Sequence, residues 1–356
     1  MAETVSARYL FRFLGKVLLL LCLVEISLRL LPASDGPYTR FDRTWKVLKF
    51  DGQKQPDGLQ TSGNLAQRKT HWHINNMGWN SAWDYQSERT KPLLAIIGNS
   101  YVEGFSLDVE QGLAGKMQNR LGSGWDCYSF GYSGAKLGQY LNLSRYVQGT
   151  YHPRVMVFIL FDADVFGSLL GPGQRPQYTL LFQKTAAGLV EAPIREFVPS
   201  RAVRLYGKMG FVRYFALNKQ QAFTEQAISK GDTLSAGEIE TYHEVVGYAF
   251  GRLRLENPET TILMVLDAPR RDLYQGRILP RSLQSRAILR AHAQDCGFRV
   301  LDLTQTMTGL YAGNHRKFNF ENDYHWNEYG FSVVADQITA ALAEAGVVPM
   351  HDPVRP

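Results

Sequence analysis

Cysteine is scarce in this sequence, with three residues in 356. None of them belongs to a Cys-x-x-C pair or to a Cys/His cluster at metal-ligand spacing, so a structural zinc site is not expected. Cys22 falls in an apolar N-terminal run, which leaves Cys127 and Cys296 either as one disulfide or as two buried thiols. No motif indicates a metal or a cofactor, and neither is expected.

Runs of basic residues, internal repeats and low-complexity tracts are also absent. The formal net charge is +6 and the pI is about 9.1, but Lys and Arg are scattered along the chain, so nucleic acid is not expected as a partner. Hydrophobic residues make up 45% of the chain, enough for one large domain or two small ones with a buried core. The composition therefore excludes general disorder.

The N-terminus carries the longest apolar run. Arg8, Arg12 and Lys16 precede its central part, and residues 11–31 would extend about 31 Å as a helix. A basic flank followed by such a run predicts an uncleaved signal anchor. That anchor would cross the cell membrane once and leave everything after about Pro32 outside the cytoplasm, in the periplasm. A cleaved signal peptide is the alternative.

Beyond residue 91, short apolar runs alternate with helical patterns. Near-continuous apolarity predicts strands of a parallel sheet covered on both faces, at residues 93–98, 127–134, 155–161, 261–267 and 298–303. Helical patterns lie at residues 109–121, 135–149, 237–256, 282–296 and 327–345. The alternation predicts an α/β fold, a three-layer α/β/α sandwich around a mostly parallel five-stranded sheet.

Two stretches outside this alternation indicate the domain organisation. Residues 1–32 would form a cytoplasmic stub and the anchor, and an extended lead-in follows at 33–91. The α/β domain would cover 92–348, interrupted at 165–236 by an insertion that is too long for an ordinary connection and is expected to form a lid or cap. The insertion has nine Lys and Arg against four Asp and Glu, which suits either an anionic polymer or a solvated surface.

The turn after the first predicted sheet strand holds Gly98, Asn99 and Ser100. Ligands of open α/β sheets bind at the carboxyl ends of the strands, although Gly-Asn-Ser also suits a tight turn with a helix cap. Near the other end of the chain, Asp323 lies two residues before His325. A serine nucleophile needs a base, and the base needs an acid that fixes its tautomer. Together these residues predict a Ser-Asp-His catalytic triad.

These motifs resemble the conserved blocks of the SGNH or GDSL superfamily of serine esterases and O-acyltransferases. GNS at 98–100 resembles the first block, FGYSG at 130–134 the second, and DYHWNEYG at 323–330 the last. The resemblance covers residues 93–165 and 260–345. It implies a flavodoxin-like fold for the α/β domain.

The resemblance also implies roles for particular residues. The backbone amides of Ser100 and Gly134 would form the oxyanion hole. Membrane-anchored members with a lead-in similar to residues 73–85 are associated with polysaccharide modification, which implies a carbohydrate or polysaccharide substrate. Further partners implied in this way are a membrane-bound O-acyltransferase and the polysaccharide-export machinery.

Two departures from the family pattern concern the reacting centre. The third block, normally Gly-x-Asn-Asp, is FDAD at 161–164, so Ala163 stands where an oxyanion-hole asparagine is expected. The loss of such a donor can cost about 3 to 4 kcal/mol of transition-state stabilisation. Asn99 replaces the usual aspartate of the first block. Replacement amide donors could come from the lead-in, at Asn75, Asn76 or Asn80.

Two functions of different classes follow. In the first, Ser100 forms an acyl-enzyme that passes its acyl group, expected to be acetyl, to water as an esterase or to a sugar hydroxyl as an O-acyltransferase. Asn99, Arg270 and Trp326 are the expected substrate-binding residues, with a structural salt bridge as the alternative for Arg270. In the second, an inactive glycan-binding scaffold would stack sugars on tryptophans, at Trp72, Trp79, Trp83 and Trp326.

Overall fold

The structure is a computed structural model of the chain. It describes residues 2–31, 34, 36–62, 67–171, 173–174, 178–196, 198, 200–212, 231–321 and 323–349. Parts of the insertion expected at 165–236 therefore lie outside the described residues, as do Pro32 and Asn322.

The first half of the chain contains the lead-in and the first three strands of the main sheet. In chain order, its helices and strands are α1 (Ala2–Leu30), β1 (Thr39–Asp42), β2 (Val47–Phe50), β3 (Asp57–Ser62), β4 (Arg68–His73), β5 (Leu93–Gly98), α2 (Ser100–Glu103), α3 (Leu113–Leu121), β6 (Asp126–Gly131), α4 (Leu137–Tyr151), β7 (Val155–Leu160) and α5 (Asp162–Phe166).

The second half completes the sheet and its helical layers. Its helices and strands are β8 (Phe182–Thr185), β9 (Gly188–Glu191), α6 (Arg201–Gly207), α7 (Ala236–Glu256), β10 (Thr261–Leu266), α8 (Arg270–Tyr274), α9 (Pro280–Asp295), β11 (Arg299–Asp302), α10 (Thr304–Asn314), β12 (Asn319–Phe320), β13 (Asp323–Trp326) and α11 (Glu328–Glu344).

A five-stranded sheet lies at the centre of the α/β domain. Its strands are arranged in the order β11-β10-β7-β5-β6, and every neighbouring pair is parallel. The predicted α/β class and the five-stranded parallel sheet are therefore confirmed. Strand β5 pairs with β6 on one side and with β7 on the other, so the chain winds outward from β5 in both directions. Such a switch point is where open α/β sheets bind their ligands.

Strand β5 shows why the sheet strands are apolar at every position. All six of its residues are buried. Leu93, Ala95 and Ile97 join the core that includes residues of α4 and α7, whereas Leu94 and Ile96 join the core that includes residues of α3 and α11. Successive side chains of a strand point to opposite faces, so a strand covered on both faces needs apolar residues throughout.

The lead-in is more regular than its sequence indicates. It contains two antiparallel hairpins, β1–β2 and β3–β4. Trp79 and Tyr85 are buried in the same core as the sheet, and the Trp79 ring packs edge-to-face on Phe130 of β6 with centroids 5.3 Å apart. The lead-in therefore packs against the α/β domain and is not extended away from it.

Several further elements have no counterpart in the sequence prediction. A hairpin, β8–β9, lies in the insertion and buries Phe182 in the main core. Helix α10 follows β11. A short irregular hairpin, β12–β13, carries Asp323 and His325 on its second strand.

Two predicted boundaries move by more than two residues. The strand expected at 127–134 ends at Gly131, and the chain then turns through Gly134, whose φ of 79° is in the left-handed region that favours glycine. The helix expected at 109–121 begins as a 3₁₀ turn at Val109–Gln111 and becomes an α-helix only at Leu113.

Helix α1 contains the N-terminal apolar run. Among the described residues, no helix has both the length and the apolarity needed to cross a membrane. Lys16, Glu25 and Arg29 interrupt the run in α1, and the Glu25 carboxylate accepts hydrogen bonds from the Arg29 side chain at 2.8 Å and the Gly210 backbone at 2.7 Å. The membrane pass expected over 11–31 is therefore not confirmed.

Cys127 and Cys296 are both free thiols. Cys127 is buried in β6, and this burial raises the pKa of its thiol well above the usual range. The thiol therefore stays protonated and behaves as a small apolar core residue.

The contact between β6 and α2 generates a testable prediction. A Cβ atom at Gly131 would lie 2.0 Å from the backbone nitrogen of Glu103, and it could be accommodated only by moving α2. We expect Gly131→Ala to lower the free energy of unfolding in urea by about 2 kcal/mol or more. Gly124→Ala is the matched control, because a Cβ there meets nothing within 4 Å. Equal unfolding midpoints for the two variants would contradict this packing.

Candidate active site

Ser100 lies in a tight turn between strand and helix. The side-chain oxygen of Asn99 caps α2 by accepting a hydrogen bond from the Tyr101 N–H at 3.2 Å. At Gly98, a Cβ would lie 2.5 Å from a methyl group of Val102. The missing side chain at Gly98 and the cap at Asn99 therefore allow the chain to enter α2 directly, with Ser100 as its first residue.

His325 connects Ser100 with Asp323. Its Nε2 atom lies 2.7 Å from Oγ of Ser100, and its Nδ1 atom lies 2.6 Å from Oδ1 of Asp323. The backbone N–H of His325 donates to the same carboxylate oxygen at 3.1 Å. A carboxylate at Nδ1 favours the tautomer that carries its proton there, which leaves Nε2 able to accept the proton of the serine hydroxyl.

The Asp323 carboxylate is buried but ionised. Burial raises its pKa, but hydrogen bonds from His325 and Arg68 outweigh this effect and hold the pKa of Asp323 well below its usual range. A guanidinium nitrogen of Arg68, from β4 in the lead-in, lies 2.5 Å from Oδ2 of Asp323. Each carboxylate oxygen therefore has its own donor.

Two backbone amides in the turns that follow β5 and β6 have no acceptor among the described residues. They belong to Ser100 itself and to Gly134, and both residues line one cavity. A Cβ at Gly134 would meet nothing within 4 Å, so the space in front of this residue is open. The two amides are available to an oxygen atom of a ligand, as an oxyanion hole requires.

Ala163 lines the same cavity but brings only a methyl group. The lead-in asparagines do not replace the missing amide donor. Their side-chain nitrogens donate instead to the backbone oxygens of Trp83, Tyr85 and Glu103. None of the three lines the cavity beside Ser100, which corrects the expectation for Asn75, Asn76 and Asn80.

Glu103 joins the serine helix to the loop that carries Gly134. Its carboxylate accepts a hydrogen bond from the Ser133 backbone at 3.1 Å and another from the Ser133 hydroxyl. Burial raises the pKa of Glu103 to about 7, and the hydrogen bonds from Ser133 only partly oppose this rise. The charge of Glu103 therefore changes near neutral pH, directly beside the Gly134 loop.

The amide at Asn99 also suits its surroundings. Its Nδ2 atom lies 3.5 Å from Asp164, whose carboxylate accepts hydrogen bonds from Tyr140 at 2.8 Å and Lys136 at 3.3 Å. Burial raises the pKa of Asp164 in spite of Lys136. An aspartate at position 99 would place a second carboxylate beside this one, at an electrostatic cost that the amide avoids.

Arg270 and Trp326 stabilise the segment that carries Asp323 and His325. Arg270 pairs with Asp267 at 3.1 Å and donates to the Tyr324 carbonyl and to the Tyr101 hydroxyl, each at 2.7 Å. Trp326 is fully buried and donates its indole N–H to Asp267 at 3.0 Å. These contacts hold the loop of Asp323 and His325. Trp326 does not line the cavity beside Ser100, which corrects its expected role in substrate binding. Arg270 does line this cavity, and its guanidinium forms the ion pair that the sequence analysis gave as the alternative.

The other tryptophans also fail to form a sugar-binding surface. Trp72 and Trp79 are buried, and Trp83 is partly buried against the main core. None of them lines the cavity beside Ser100. Stacking of sugars on these four tryptophans is therefore not supported.

The cavity beside Ser100 has a volume of about 560 Å³. Its wall continues from the serine and His325 to Phe161, Phe166 and Tyr242 and on to residues 267–286. Several charged side chains of the wall are held in ion pairs, such as Arg270 with Asp267 inside the wall and Arg286 with Asp302 outside it. Arg271 and Arg277 are exposed there, and neither has a carboxylate partner in the described part of the chain.

No family model matches this sequence, and no curated relative matches it. Solved structures do. A lipase/acylhydrolase from Enterococcus faecalis is 11% identical, with 73% of this chain and 100% of that chain covered and a TM-score of 0.40. An acetyl xylan esterase is 14% identical, with 70% and 99% covered and a TM-score of 0.41.

A GDSL-like lipase from Bacteroides ovatus is also similar. It is 8% identical, with 74% of this chain and 56% of that chain covered and a TM-score of 0.41.

Arg68 and Glu103 are two polar residues near Ser100 and Asp323 that the sequence analysis missed. Glu103 follows Ser100 by three residues, so a helical reading of this segment could have placed both on one turn. Arg68 is 255 residues from Asp323 in the chain. No local pattern could have joined that pair.

The buried carboxyl of Glu103 predicts a pH-dependent stability. Because its pKa rises from 4.5 to about 7 on folding, the folded protein holds this proton more tightly than the unfolded chain. The resulting stabilisation is complete below about pH 4.5 and is lost as the pH rises through 7. Between pH 5 and 8, wild-type protein should lose about 2 to 3 kcal/mol more unfolding free energy than Glu103→Gln. Parallel pH profiles in urea unfolding would contradict the prediction.

Proposed function

We propose that this protein is a serine-dependent ester hydrolase or O-acyltransferase that acts on acylated carbohydrate. The observation that carries the proposal is the continuous contact from Ser100 through His325 to Asp323, at 2.7 and 2.6 Å. It meets the geometric requirement for an activated nucleophile, and two free amides lie in the same cavity.

Each residue has a defined role in the reaction. Nε2 of His325 takes the proton of Ser100 while Oγ bonds to the ester carbonyl carbon, and the resulting oxyanion accepts hydrogen bonds from the amides of Ser100 and Gly134. When the tetrahedral intermediate collapses, the ester C–O bond breaks and His325 gives its proton to the leaving alcohol. Water or a sugar hydroxyl then attacks the acyl-enzyme by the same steps, which releases an acid or a new ester.

The alanine at position 163 is compatible with this chemistry. The two backbone amides provide the transition-state stabilisation on their own, so we expect a slower reaction than in an enzyme with a third donor. A missing donor of this kind typically lowers kcat by a factor of roughly 100 to 1,000.

The cavity supports a carbohydrate substrate. Its volume of about 560 Å³ is within the range of small-ligand sites, and hydroxyl, carboxylate and guanidinium groups line it together with aromatic rings. The exposed guanidiniums of Arg271 and Arg277 also suit an acidic sugar. The family resemblance of the sequence motifs supports an acetyl ester as the acyl donor. A membrane-bound O-acyltransferase is the partner that we propose as the source of acyl groups in the transferase reaction.

The first test uses fluorophosphonate, which labels activated serines. Wild-type protein should gain one adduct by intact-mass analysis and hydrolyse p-nitrophenyl acetate, and Ser100→Ala should do neither. Ser123→Ala, an exposed serine in a turn away from the cavity, is the matched control. If folded wild-type protein takes no adduct, and Ser100→Ala hydrolyses p-nitrophenyl acetate as fast as wild type does, the proposed function is wrong.

We further propose that the protein acts outside the cytoplasm, attached to the membrane surface. The basic residues Arg8 and Arg12 at the start of α1 and the exposed apolar side chains that follow support this location. Full-length protein should sediment with membranes after a high-salt wash, and detergent should release it. Recovery in the cytosolic fraction would contradict the proposal.

A further inference from the structure

We propose that Arg68 is a positioning residue for the reaction and that the lead-in is therefore part of the working site. The proposal rests on the proposed function, because it assigns Arg68 a role beside Asp323, the acid of the proposed Ser100–His325–Asp323 triad. The juxtaposition that carries it is the contact of a guanidinium nitrogen of Arg68 with Oδ2 of Asp323 at 2.5 Å.

The two oxygens of Asp323 have separate partners. Oδ1 faces the backbone N–H and Nδ1 of His325, whereas Oδ2 faces Arg68. With Arg68 in place, rotation of the carboxylate would break a charge-assisted hydrogen bond on its far side. The guanidinium therefore fixes the orientation in which Oδ1 meets the imidazole.

Arg68 is itself held in position. Its guanidinium carbon lies 3.6 Å from the centre of the Phe320 ring, and its side chain is 22% exposed. Phe320 belongs to β12, which pairs with the strand that carries Asp323. The guanidinium thus contacts one residue on each strand of the β12–β13 hairpin, Phe320 and Asp323. The backbone of Arg68 is held separately, in the β3–β4 hairpin.

The contact with Arg68 also partly neutralises the negative charge of Asp323. The Asp323 side chain is only 4% exposed, and a buried charge without a partner is strongly destabilising. Arg68 balances this negative charge, so less of it is available to stabilise a protonated His325. Removing the guanidinium should favour the imidazolium, and activity should then be lost at a higher pH on the acid side.

Arg68→Met tests the role, because it removes the charge and keeps an apolar stem over Phe320. We expect kcat for p-nitrophenyl acetate to fall about tenfold and the acid limb of the pH profile to move up by roughly half a unit. Lys69→Met is the matched control, since it removes an exposed positive charge from the next position of the same strand. Arg68→Lys should restore the acid limb but only part of kcat.

A double-mutant cycle separates positioning from general stability. In an Asp323→Asn background, Arg68→Met should change kcat by less than about twofold, because the carboxylate through which it acts is absent. A full tenfold loss in that background, or equal behaviour of Arg68→Met and Lys69→Met in the wild-type background, would overturn the proposal.

A readout that does not need turnover separates this proposal from the proposed function. The ring protons of His325, assigned with His325→Asn, can be titrated by NMR in wild type, Arg68→Met and Lys69→Met. A titration midpoint that moves up only in Arg68→Met supports the role of Arg68 even if no ester is hydrolysed. Coincident titrations overturn it even if the enzyme is active.

Discussion

The burial of strand β5 on both faces is the constraint on which the site depends. Because all six residues of the strand are inside, polar chemistry has to begin where the strand ends, at the switch point of the sheet. The turn there is tight. Gly98 allows α2 to pack back at once, and Gly131 of the neighbouring strand leaves room for the backbone of Glu103. Ser100 is therefore held by core packing and not by a free loop.

The acids around the cavity show why Asp323 differs from the rest. Burial raises the pKa of Asp162, Asp164 and Asp267 even where a lysine or arginine lies close. At Asp323, unlike at these three acids, the hydrogen bonds outweigh burial, because His325 and Arg68 each contact one of its two oxygens. An ionised carboxylate behind a histidine is what a serine nucleophile requires of its third member.

The sheet could be predicted from the sequence because the burial of a strand is indicated by the strand's own residues. A run that is apolar at nearly every position, such as residues 93–98, is typical of a strand in a sheet that is covered on both faces. The spacing of Asp323 and His325 was equally local, and the structure brings both residues to Ser100. Elements without a strong apolar period, such as the β3–β4 hairpin, could not be predicted, because their stability comes from packing against distant residues.

The expected substrate-binding roles of Arg270 and Trp326 depended on contacts that the sequence does not show. A sequence shows that Arg270 and Trp326 stand beside strand ends, but not whether a buried carboxylate occupies them. Asp267 does so for both. Their polar groups therefore stabilise the Asp323 loop. Arg271 also lines the cavity, and its guanidinium has no carboxylate partner among the described residues.

The lead-in contacts the site on two sides, at Asp323 and at the helix that begins with Ser100. Arg68 contacts the acid, and Asn80 donates to the backbone oxygen of Glu103 at 2.8 Å, at the end of the helix that begins with Ser100. Glu103 in turn holds Ser133, next to the amide of Gly134. An oxyanion hole with only backbone donors cannot adjust by rotating a side chain, so the position of these loops decides its geometry. The lead-in therefore contributes to the position of the Gly134 loop through Asn80, Glu103 and Ser133.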